Sequence, residues 1–339
     1  MADPVRIGLM GLGQIGRQLY HLAAASEDLQ IVAVSDIGAP EVLHYLLSTD
    51  SGQASSCELR GNYLVNDKFQ TRMMQADRPG EVPWDVFDVD IVVDATNRFK
   101  TPAHMQAHLD GGAPRVLISQ LPEEMIDRVV LMGMNDASIR REDRMISAGS
   151  ATTAALALAL KVIDDAIGVV SASMTTVHAY SSDQSLQDYA GRDFRRSRSA
   201  AENIIPNSND SAHWVAQVLP QFAGKLLGFA LNVPVQKGNL LDLDIVLADE
   251  TAGIDEVNAA MVAAVDRYPG LLEVATDPIV SSDVIGNPCS LLFDLQGTIK
   301  AGRHIVKLLG WYESLGHAAR LLDVVRLYTE LDASAGGGS

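Results

Sequence analysis

A glycine-rich turn near the start of the chain constrains its fold more than any other segment. Gly11, Gly13 and Gly16 follow a short apolar run, Val5 to Met10, and open a stretch whose apolar residues have helical spacing. A second apolar run ends at Asp36, twenty residues after Gly16. Within about 30 residues the order is a strand, a glycine turn, a helix, a strand and an acidic residue. This order predicts a dinucleotide-binding βαβ unit.

Each glycine of this turn has its own physical role in such a unit. The first makes the tight turn, the second lets backbone amides approach a pyrophosphate, and the third lets helix and strand pack closely. Glycine turns also occur for packing alone, and an acid at a strand end is often only a solvated turn residue. The carboxylate of Asp36, however, suits the adenosine ribose hydroxyls and would repel a 2′-phosphate. The pattern therefore predicts NAD as the cofactor.

Composition and charge restrict the partners. A length of 339 residues predicts about two domains, and a hydrophobic content of 47% is enough for sizeable cores. The formal net charge of −17 opposes binding to nucleic acid. No secretory signal is recognisable, and no apolar stretch approaches the roughly 20 residues that cross a bilayer. We expect a cytoplasmic protein with a small-molecule substrate, no nucleic-acid partner and no membrane partner.

The two cysteines and the last residues add little to the fold. Cys57 and Cys289 are far apart and have no metal-binding spacing, so we predict neither a disulfide nor a metal site. Residues 333–339 are small and rich in glycine, which predicts a flexible tail.

The two halves of the chain differ in their strand patterns. In the first half, buried strands alternate with helical segments, which predicts a doubly wound parallel sheet of the α/β, Rossmann type. After a predicted helix at Ala154–Ile163, long alternating segments predict an α+β arrangement, a mostly antiparallel sheet with helices on one face. The further strands predicted in the first half are Asp90–Asp94, Arg115–Ser119 and Val129–Met132.

Nine motifs, in unbroken order between about residues 5 and 330, resemble those of one enzyme family, the glyceraldehyde-3-phosphate dehydrogenases. They are Arg6–Arg17, Leu131–Asn135, Ser147–Ala154, Met174–Tyr180, Asp193–Arg198, Asn203–Pro206, Gly224–Gly228, Ser281–Asp283 and Gly310–Tyr312. The resemblance implies an NAD-binding domain at 1–150 and a catalytic domain at 151–315. It also implies a C-terminal helix, 316–332, that completes the first domain, and a homotetramer.

The resemblance also implies residues for the cofactor site. Gln14 replaces the arginine usual in the opening motif, and Thr96 and Ser119 are weaker matches. The segment after Trp311 is one residue shorter than in the family, and Ser314 is the residue matched to an asparagine that holds the nicotinamide amide. The cofactor residues so implied are Gly11, Gly13, Gln14, Ile15, Gly16, Asp36, Thr96, Ser119 and Ser314.

In the family, a cysteine thiolate adds to the aldehyde and a histidine takes up the proton. Hydride then passes to NAD, and phosphate releases the acyl group. His178 matches the histidine, while Ser150, Thr152 and Asp183 match substrate-site residues. Ser181 stands where the family usually has threonine.

The chain departs from the family at the residues that define this chemistry. Ala151 occupies the nucleophile position, and its methyl group cannot form a covalent intermediate. The hydroxyl of the adjacent Ser150 is a much weaker candidate nucleophile. Asn232 replaces a phosphate-binding arginine, whose bidentate charge an amide does not supply. Asn209 and Asp210 replace Thr-Gly, and a carboxylate at position 210 would repel phosphate.

An arginine-rich segment could have either of two roles, binding the substrate or contacting a neighbouring subunit. Arg192, Arg195, Arg196 and Arg198 lie in a polar stretch between the predicted strands. They would suit an anionic group of the substrate or a surface that faces a neighbouring subunit.

These features favour an NAD-dependent oxidoreductase that acts on a different aldehyde, alcohol or sugar-derived substrate, with His178 as the base. Three alternatives stay open. One is an ordinary phosphorylating glyceraldehyde-3-phosphate dehydrogenase in which Ala151 was introduced by design. Another is a non-catalytic NAD-binding regulatory or assembly subunit. The third is an epimerase or lyase whose bound NAD undergoes no net redox change.

Overall fold

The chain forms two compact units in the computed structural model, which describes residues 3–50, 57–181, 184–191 and 193–336. The first unit comprises the chain up to Gly149 together with the segment from His317 onward. The second unit is Ser150–Gly316.

The described strands and helices follow one another along both units. The strands are β1 (Val5–Met10), β2 (Leu29–Ser35), β3 (Glu58–Arg60), β4 (Tyr63–Val65), β5 (Gln70–Met74), β6 (Ile91–Asp94), β7 (Val116–Ile118), β8 (Arg128–Val129), β9 (Met145–Ser147), β10 (Val169–Ala179), β11 (Ile205–Ser208), β12 (Leu226–Val233), β13 (Asn239–Leu247), β14 (Leu272–Ala275), β15 (Leu291–Ala301) and β16 (Ile305–Tyr312). The α-helices are α1 (Gln14–Ala25), α2 (Pro40–Thr49), α3 (Pro102–Asp110), α4 (Ala151–Ala166), α5 (Ser211–Val218), α6 (Ile254–Ala264) and α7 (Ser314–Gly336). Short 3₁₀ helices lie at Pro79–Glu81, Trp84–Phe87, Asp136–Ser138, Pro220–Phe222, Val265–Arg267 and Ser281–Val284.

The first unit is built on a sheet with the strand order β3-β4-β5-β2-β1-β6-β7-β9-β8. All neighbours from β5 to β8 are parallel, and only the β3-β4-β5 edge is antiparallel. The chain order reverses at β1, which pairs with β2 on one side and β6 on the other. This reversal creates the crevice in which doubly wound sheets bind their ligands.

Helix α7 completes the core of the first unit. Its buried residues Ala318, Leu321, Val325 and Tyr328 join the apolar cluster that β1, β2 and α1 form. The Tyr328 hydroxyl also donates to Asp143 at 2.8 Å. The helix is therefore an integral element of this unit.

The second unit is built on a mixed sheet with the order β11-β12-β10-β13-β16-β15-β14. Its β10–β12 and β14–β15 pairs are parallel and the other pairs antiparallel. Helix α4 packs against four of these strands and against α5 and α6. Its residues from Ala155 to Leu160 are all buried, as expected of a helix that is apolar on every side. The two sheets confirm the predicted fold class.

Two predicted helices are longer in the structure than the sequence suggested. Helix α4 begins three residues before the predicted Ala154, because Ser150 caps its N-terminus. Helix α7 continues to Gly336, beyond the predicted end at residue 332. Alanine is the best helix former, and Ala333 and Ala335 extend the helix until glycine is reached.

None of the helices in the described part of the chain is long and apolar enough to cross a membrane. Among the same residues, no group of three or more His, Cys, Asp or Glu side chains forms a candidate metal site.

Candidate functional site

The glycine turn of the first unit is tightly packed at two positions and open at the third. Gly11 has a φ of +93°, and a Cβ there would lie 2.9 Å from the amide nitrogen of Thr96. A Cβ at Gly16 would lie only 2.0 Å from the carbonyl oxygen of Gly11. At Gly13, which caps α1, no atom of the described residues apart from its own chain neighbours lies within 4 Å of the Cβ position. The open space at the helix N-terminus fits a pyrophosphate.

Asp36 ties the end of β2 to this turn. One of its carboxylate oxygens accepts from the amide of Leu12 at 2.6 Å, and the other accepts from Gly38 at 2.8 Å. Each carboxylate oxygen can accept a second hydrogen bond, so the group retains capacity for ribose hydroxyls. Gln14 and Ile15 form the first turn of α1, where Gln14 is exposed and Ile15 packs on the core.

Thr96 and Ser119 are both anchored to Asp94 at the carboxyl end of β6. The backbone amide and hydroxyl of Thr96 donate to the Asp94 carboxylate at 2.9 and 2.6 Å, and the Ser119 amide donates to its carbonyl at 2.9 Å. The other carboxylate oxygen lies 3.1 Å from Nε2 of His108. The indole of Trp84 can only donate, and it donates to Nδ1 of His108 at 3.1 Å. Nε2 therefore carries the hydrogen of the neutral ring, and this buried chain fixes both candidate cofactor loops.

The second unit places the nucleophile position at the start of α4. Ser150 is the N-cap, and its hydroxyl accepts from the Thr153 amide at 3.1 Å. The Ser150 and Thr153 hydroxyls are 2.7 Å apart, and Thr153 donates to Ser211 at 3.0 Å. Ala151 is the first helical residue and presents only a methyl group. The hydroxyl of Ser150 is thus used to stabilise the helix end.

A network of hydroxyl groups surrounds His178 on the α4 side of the sheet. The buried Tyr312 hydroxyl lies 2.8 Å from Thr152 Oγ1 and 2.5 Å from Thr176 Oγ1. Nε2 of His178 is 3.3 Å from Thr152 Oγ1 and 3.4 Å from the Tyr312 hydroxyl. Because strand side chains alternate, Thr176 and His178 share one face of β10 and reach the same pocket.

The direction of these hydrogen bonds determines which nitrogen of His178 carries the hydrogen of the neutral ring. Thr176 donates to the carbonyl of Leu240 at 3.3 Å, since a carbonyl only accepts. Tyr312 then donates to Thr176, and Thr152 donates to Tyr312. Nε2 of His178 is left to donate to Thr152, so Nδ1 carries the lone pair.

Burial controls the charge states of this network. Desolvation lowers the pKa of His178 to about 4, and it raises the pKa of Tyr312 to about 12. The imidazole and the phenol are therefore both neutral at pH 7.

Asn232 is opposite His178 in the pairing of β10 with β12, and its amide has a protein partner. It is buried and donates to Oε1 of Gln184 at 2.8 Å. The same oxygen accepts from the Ser181 amide at 3.4 Å. The residues predicted at 181 and 232 are thus brought together by Gln184. The predicted residues Asp183 and Arg192 lie outside the described residues.

Asn209, Asp210 and Ser314 are all close to helix starts. The side chain of Asn209 accepts from the amide of Ser211 at 2.8 Å. Asp210 is the N-cap residue of α5, but its exposed carboxylate makes no capping hydrogen bond. Because Ser211 also bonds Thr153, the starts of α4 and α5 are joined. Ser314 is the first residue of α7.

Sequence reasoning missed four residues that hold these sites together. Tyr312 lies within the Gly310–Tyr312 motif, and Thr176 is two residues before His178, a spacing that puts both side chains on one strand face. Both residues could therefore have been found from the sequence. Gln184 and Asp94 had no comparable signal, because their roles depend on contacts between distant segments.

The first unit has a dinucleotide crevice, and the second has a neutral histidine in a network of hydroxyl groups. These two features define a nicotinamide-dependent dehydrogenase. The family models of the NAD binding domain and the C-terminal domain of glyceraldehyde 3-phosphate dehydrogenase match residues 5–102 and 150–314. The chain is 41% identical over 332 residues to "Glyceraldehyde-3-phosphate dehydrogenase 2" of Streptomyces arenae, covering 95% of this chain and 98% of that protein. It is 39% identical over 336 residues to "Glyceraldehyde-3-phosphate dehydrogenase" of Mycobacterium tuberculosis (strain ATCC 25618 / H37Rv), with the same coverage.

The chain belongs to the glyceraldehyde-3-phosphate dehydrogenase family. It is an NAD-dependent oxidoreductase, and NAD is its cofactor, as predicted. The open space at Gly13 and the spare acceptor capacity of Asp36 fit this cofactor.

Two glycine substitutions separate packing from cofactor binding. Gly16→Ala creates a clash with the Gly11 carbonyl, and we expect it to lower the free energy of unfolding by about 2 kcal/mol or more. Gly13→Ala meets no protein atom, so we expect the unfolding free energy to change by less than about 1 kcal/mol while NAD affinity falls at least roughly tenfold. Urea unfolding and calorimetric NAD titration measure the two effects. Unchanged NAD affinity in Gly13→Ala would contradict a pyrophosphate at this turn.

The lowered pKa of His178 predicts a loss of stability in acid. The unfolded state takes up a proton as pH falls below about 6.5, whereas the folded state does so only near pH 4. The stability is thus fully present above pH 6.5 and declines between pH 6.5 and 4. The quantity to follow is the free energy of unfolding of His178→Gln minus that of the unsubstituted protein. We expect this difference to be about 2 kcal/mol more favourable to the variant at pH 4.5 than at pH 7.5. Parallel pH dependences of the two proteins in urea unfolding would show that His178 is not the titrating group.

Proposed function

We propose that this enzyme transfers hydride directly between NAD and an unphosphorylated aldehyde hydrate, alcohol or sugar-derived substrate, without a thioester intermediate. The observation that carries the proposal is Ala151 at the start of α4, next to a complete hydrogen-bond network around His178. The methyl group cannot attack a carbonyl, whereas the neutral imidazole can accept a proton.

The residues of the second unit would have different roles in this reaction. Nδ1 of His178 accepts the hydroxyl proton of the substrate. Thr152 and Tyr312 hold the ring in one orientation and stabilise the resulting imidazolium with their hydroxyl oxygens. NAD, when bound, supplies the hydride acceptor. Ser150 is a helix cap, which supports a substrate-binding or structural role for it more than a nucleophilic one.

The side chains at the former phosphate positions support an uncharged substrate. The Asn232 amide is engaged by Gln184 and brings no charge. The exposed carboxylate of Asp210 disfavours an anion at the start of α5. We therefore propose that Ser181, Asp183, Asn209, Asp210 and Asn232, with Thr152, select polar neutral groups.

The proposal predicts NADH formation from NAD and members of a panel of unphosphorylated aldehydes, alcohols and polyols, without added phosphate. With the best substrate, His178→Gln should lower kcat/KM at least roughly 100-fold, the usual contribution of a general base. His304→Gln is the control, since His304 is half-exposed beside Glu250 at the β15–β16 turn. Because His178 is neutral well below pH 6.5, kcat/KM should show no inflection near that value. An undiminished rate in His178→Gln would remove His178 from the mechanism.

A second reading, an ordinary phosphorylating enzyme in which Ala151 replaces the cysteine, is favoured by the intact helix cap and the histidine. Ala151→Cys tests it. A thiol at this helix N-terminus should ionise readily and react with iodoacetamide before Cys57 or Cys289. Burial raises the pKa of Cys57, and Cys289 is buried, so both serve as internal controls.

Our proposal predicts that alkylated and free Ala151→Cys alike lack phosphate-dependent oxidation of glyceraldehyde 3-phosphate. Peptide mass spectrometry locates the alkylated thiol, and absorbance at 340 nm measures turnover. Phosphate-dependent turnover in the free variant, abolished by alkylation, would establish the second reading.

We further propose a cytoplasmic homotetramer. The face of the second sheet opposite α4 and α5 exposes Leu227, Phe229 and Ile305, an apolar surface that subunit contacts would cover. Light scattering should then give four times the chain mass of 36.3 kDa, and a monomer would exclude this assembly.

A further inference from the structure

A chain of buried hydrogen bonds links helix α3 to the loop that follows β6. Trp84, His108 and Asp94 are all fully buried. The indole of Trp84 donates to Nδ1 of His108 at 3.1 Å, and Nε2 of His108 lies 3.1 Å from one carboxylate oxygen of Asp94. The other oxygen accepts from the amide and the hydroxyl of Thr96 at 2.9 and 2.6 Å. One carboxylate thus connects the histidine of α3 to this loop.

The loop after β6 has a backbone conformation that needs such support. Asn97 has a φ of +59°, in the left-handed region that residues other than glycine seldom adopt. The Arg98 amide on its far side donates to the Thr96 hydroxyl at 3.2 Å, and that hydroxyl in turn donates to Asp94. Unfavourable backbone conformations persist only where their surroundings hold them. The orientation of the Asp94 carboxylate therefore determines the shape of the loop.

The same loop packs directly against the glycine turn. The Ala95 amide donates to the carbonyl of Met10 at 2.7 Å. A Cβ on Gly11 would lie 2.9 Å from the amide nitrogen of Thr96, so the two backbones are in close contact. Gly11 begins the turn whose open end, at Gly13, fits the pyrophosphate. A shift of Thr96 would therefore shift the first residue of the pyrophosphate site.

Trp84 fixes the direction in which the histidine donates. An indole N–H only donates, so Nδ1 of His108 must accept and the ring hydrogen lies on Nε2, facing Asp94. The opposite tautomer would place a lone pair against the carboxylate. Trp84 is itself held in place, because its ring lies 2.7 Å from where a Cβ on Gly8 of β1 would be. Tryptophan and histidine therefore act as one rigid support.

We propose that His108 is a positioning residue for NAD. By holding the Asp94 carboxylate, it keeps Thr96 and the loop after β6 against the glycine turn, and so strengthens binding of the pyrophosphate. Trp84 has the same role one hydrogen bond further away. Both side chains are fully buried and act only through Asp94. The proposal rests on NAD as the cofactor and is independent of the substrate and of His178. Its alternative is a chain that only stabilises the first unit.

Two variants of His108 and a neighbouring control separate these possibilities. His108→Gln keeps a donor for Asp94 and an acceptor for Trp84, whereas His108→Met has a similar volume and supplies neither. The control is Leu109→Ala, because Leu109 is the next residue of α3 and packs in the apolar core that contains Trp84. Calorimetry measures the affinities for NAD and for ADP-ribose, and urea unfolding measures stability.

We expect His108→Met to weaken NAD and ADP-ribose binding equally, by roughly tenfold, because both ligands carry the pyrophosphate. His108→Gln should restore both affinities to within about threefold of the unsubstituted protein. Leu109→Ala should lower the urea midpoint at least as far as His108→Met does, since it leaves a cavity, and yet change neither affinity. Stability and affinity then vary separately.

A second measurement tests whether His108 acts through Asp94 and Thr96. Thr96→Val removes the hydroxyl that bonds Asp94, so it should weaken NAD binding by roughly tenfold as well. If both side chains act through one carboxylate, the double variant with His108→Met should bind NAD within about threefold of the weaker single variant. Independent effects would instead multiply to roughly a hundredfold loss.

Three results would overturn the proposal. They are unchanged affinities in a less stable His108→Met, losses that multiply in the double variant, and a loss for NAD without one for ADP-ribose. Failure of the unsubstituted protein to bind either nucleotide would instead refute the cofactor site itself.

If His108→Met does not fold, Trp84→Phe takes its place, since phenylalanine keeps an aromatic ring beside Gly8 but lacks the N–H. We expect this variant to lose roughly threefold in both affinities, and no loss in a folded variant would likewise overturn the proposal.

Discussion

The Tyr312 hydroxyl is the contact on which the second unit's site depends. It joins Thr152, in the first turn of α4, to Thr176 on β10, and it lies within reach of His178. Because Tyr312 is fully buried and its pKa is raised to about 12, the hydroxyl stays neutral and keeps its proton for hydrogen bonding. One phenol therefore fixes the start of the helix, the strand and the tautomer of the histidine.

The two units differ in how completely their buried polar groups are hydrogen-bonded. In the second unit the hydroxyls of Thr152, Thr176 and Tyr312 satisfy one another, so their arrangement is complete before any ligand binds. In the first unit Asp94 and His108 form a similarly complete set, but the amide of Gln120 remains unpaired among the described residues. A completed network holds its side chains in place before any ligand binds.

The sequence predicted the elements whose signals are local. The glycine turn, Asp36 and the start of α4 each depend on neighbours within about 25 residues, and periodicity alone predicted the parallel and the mostly antiparallel sheets. The partners of Asn232 and Tyr312 were beyond such reasoning. The Asn232 amide meets Gln184, and the Tyr312 hydroxyl meets residues of α4 and β10 more than 130 positions earlier in the chain. Sheet pairing decides those contacts, and no local pattern encodes them.

The hydrogen bonds of α4 explain how the chain keeps the family architecture with alanine at position 151. Ser150, Thr152 and Thr153 all take part in them, but the side chain of residue 151 takes part in none of those described. Replacing a thiol by a methyl group there removes the nucleophile without removing a structural contact. Position 232 differs in this respect, because the Asn232 amide donates to Oε1 of Gln184, which also accepts from the Ser181 amide. A substitution at 151 alone would not produce that contact, so position 232 has packing of its own.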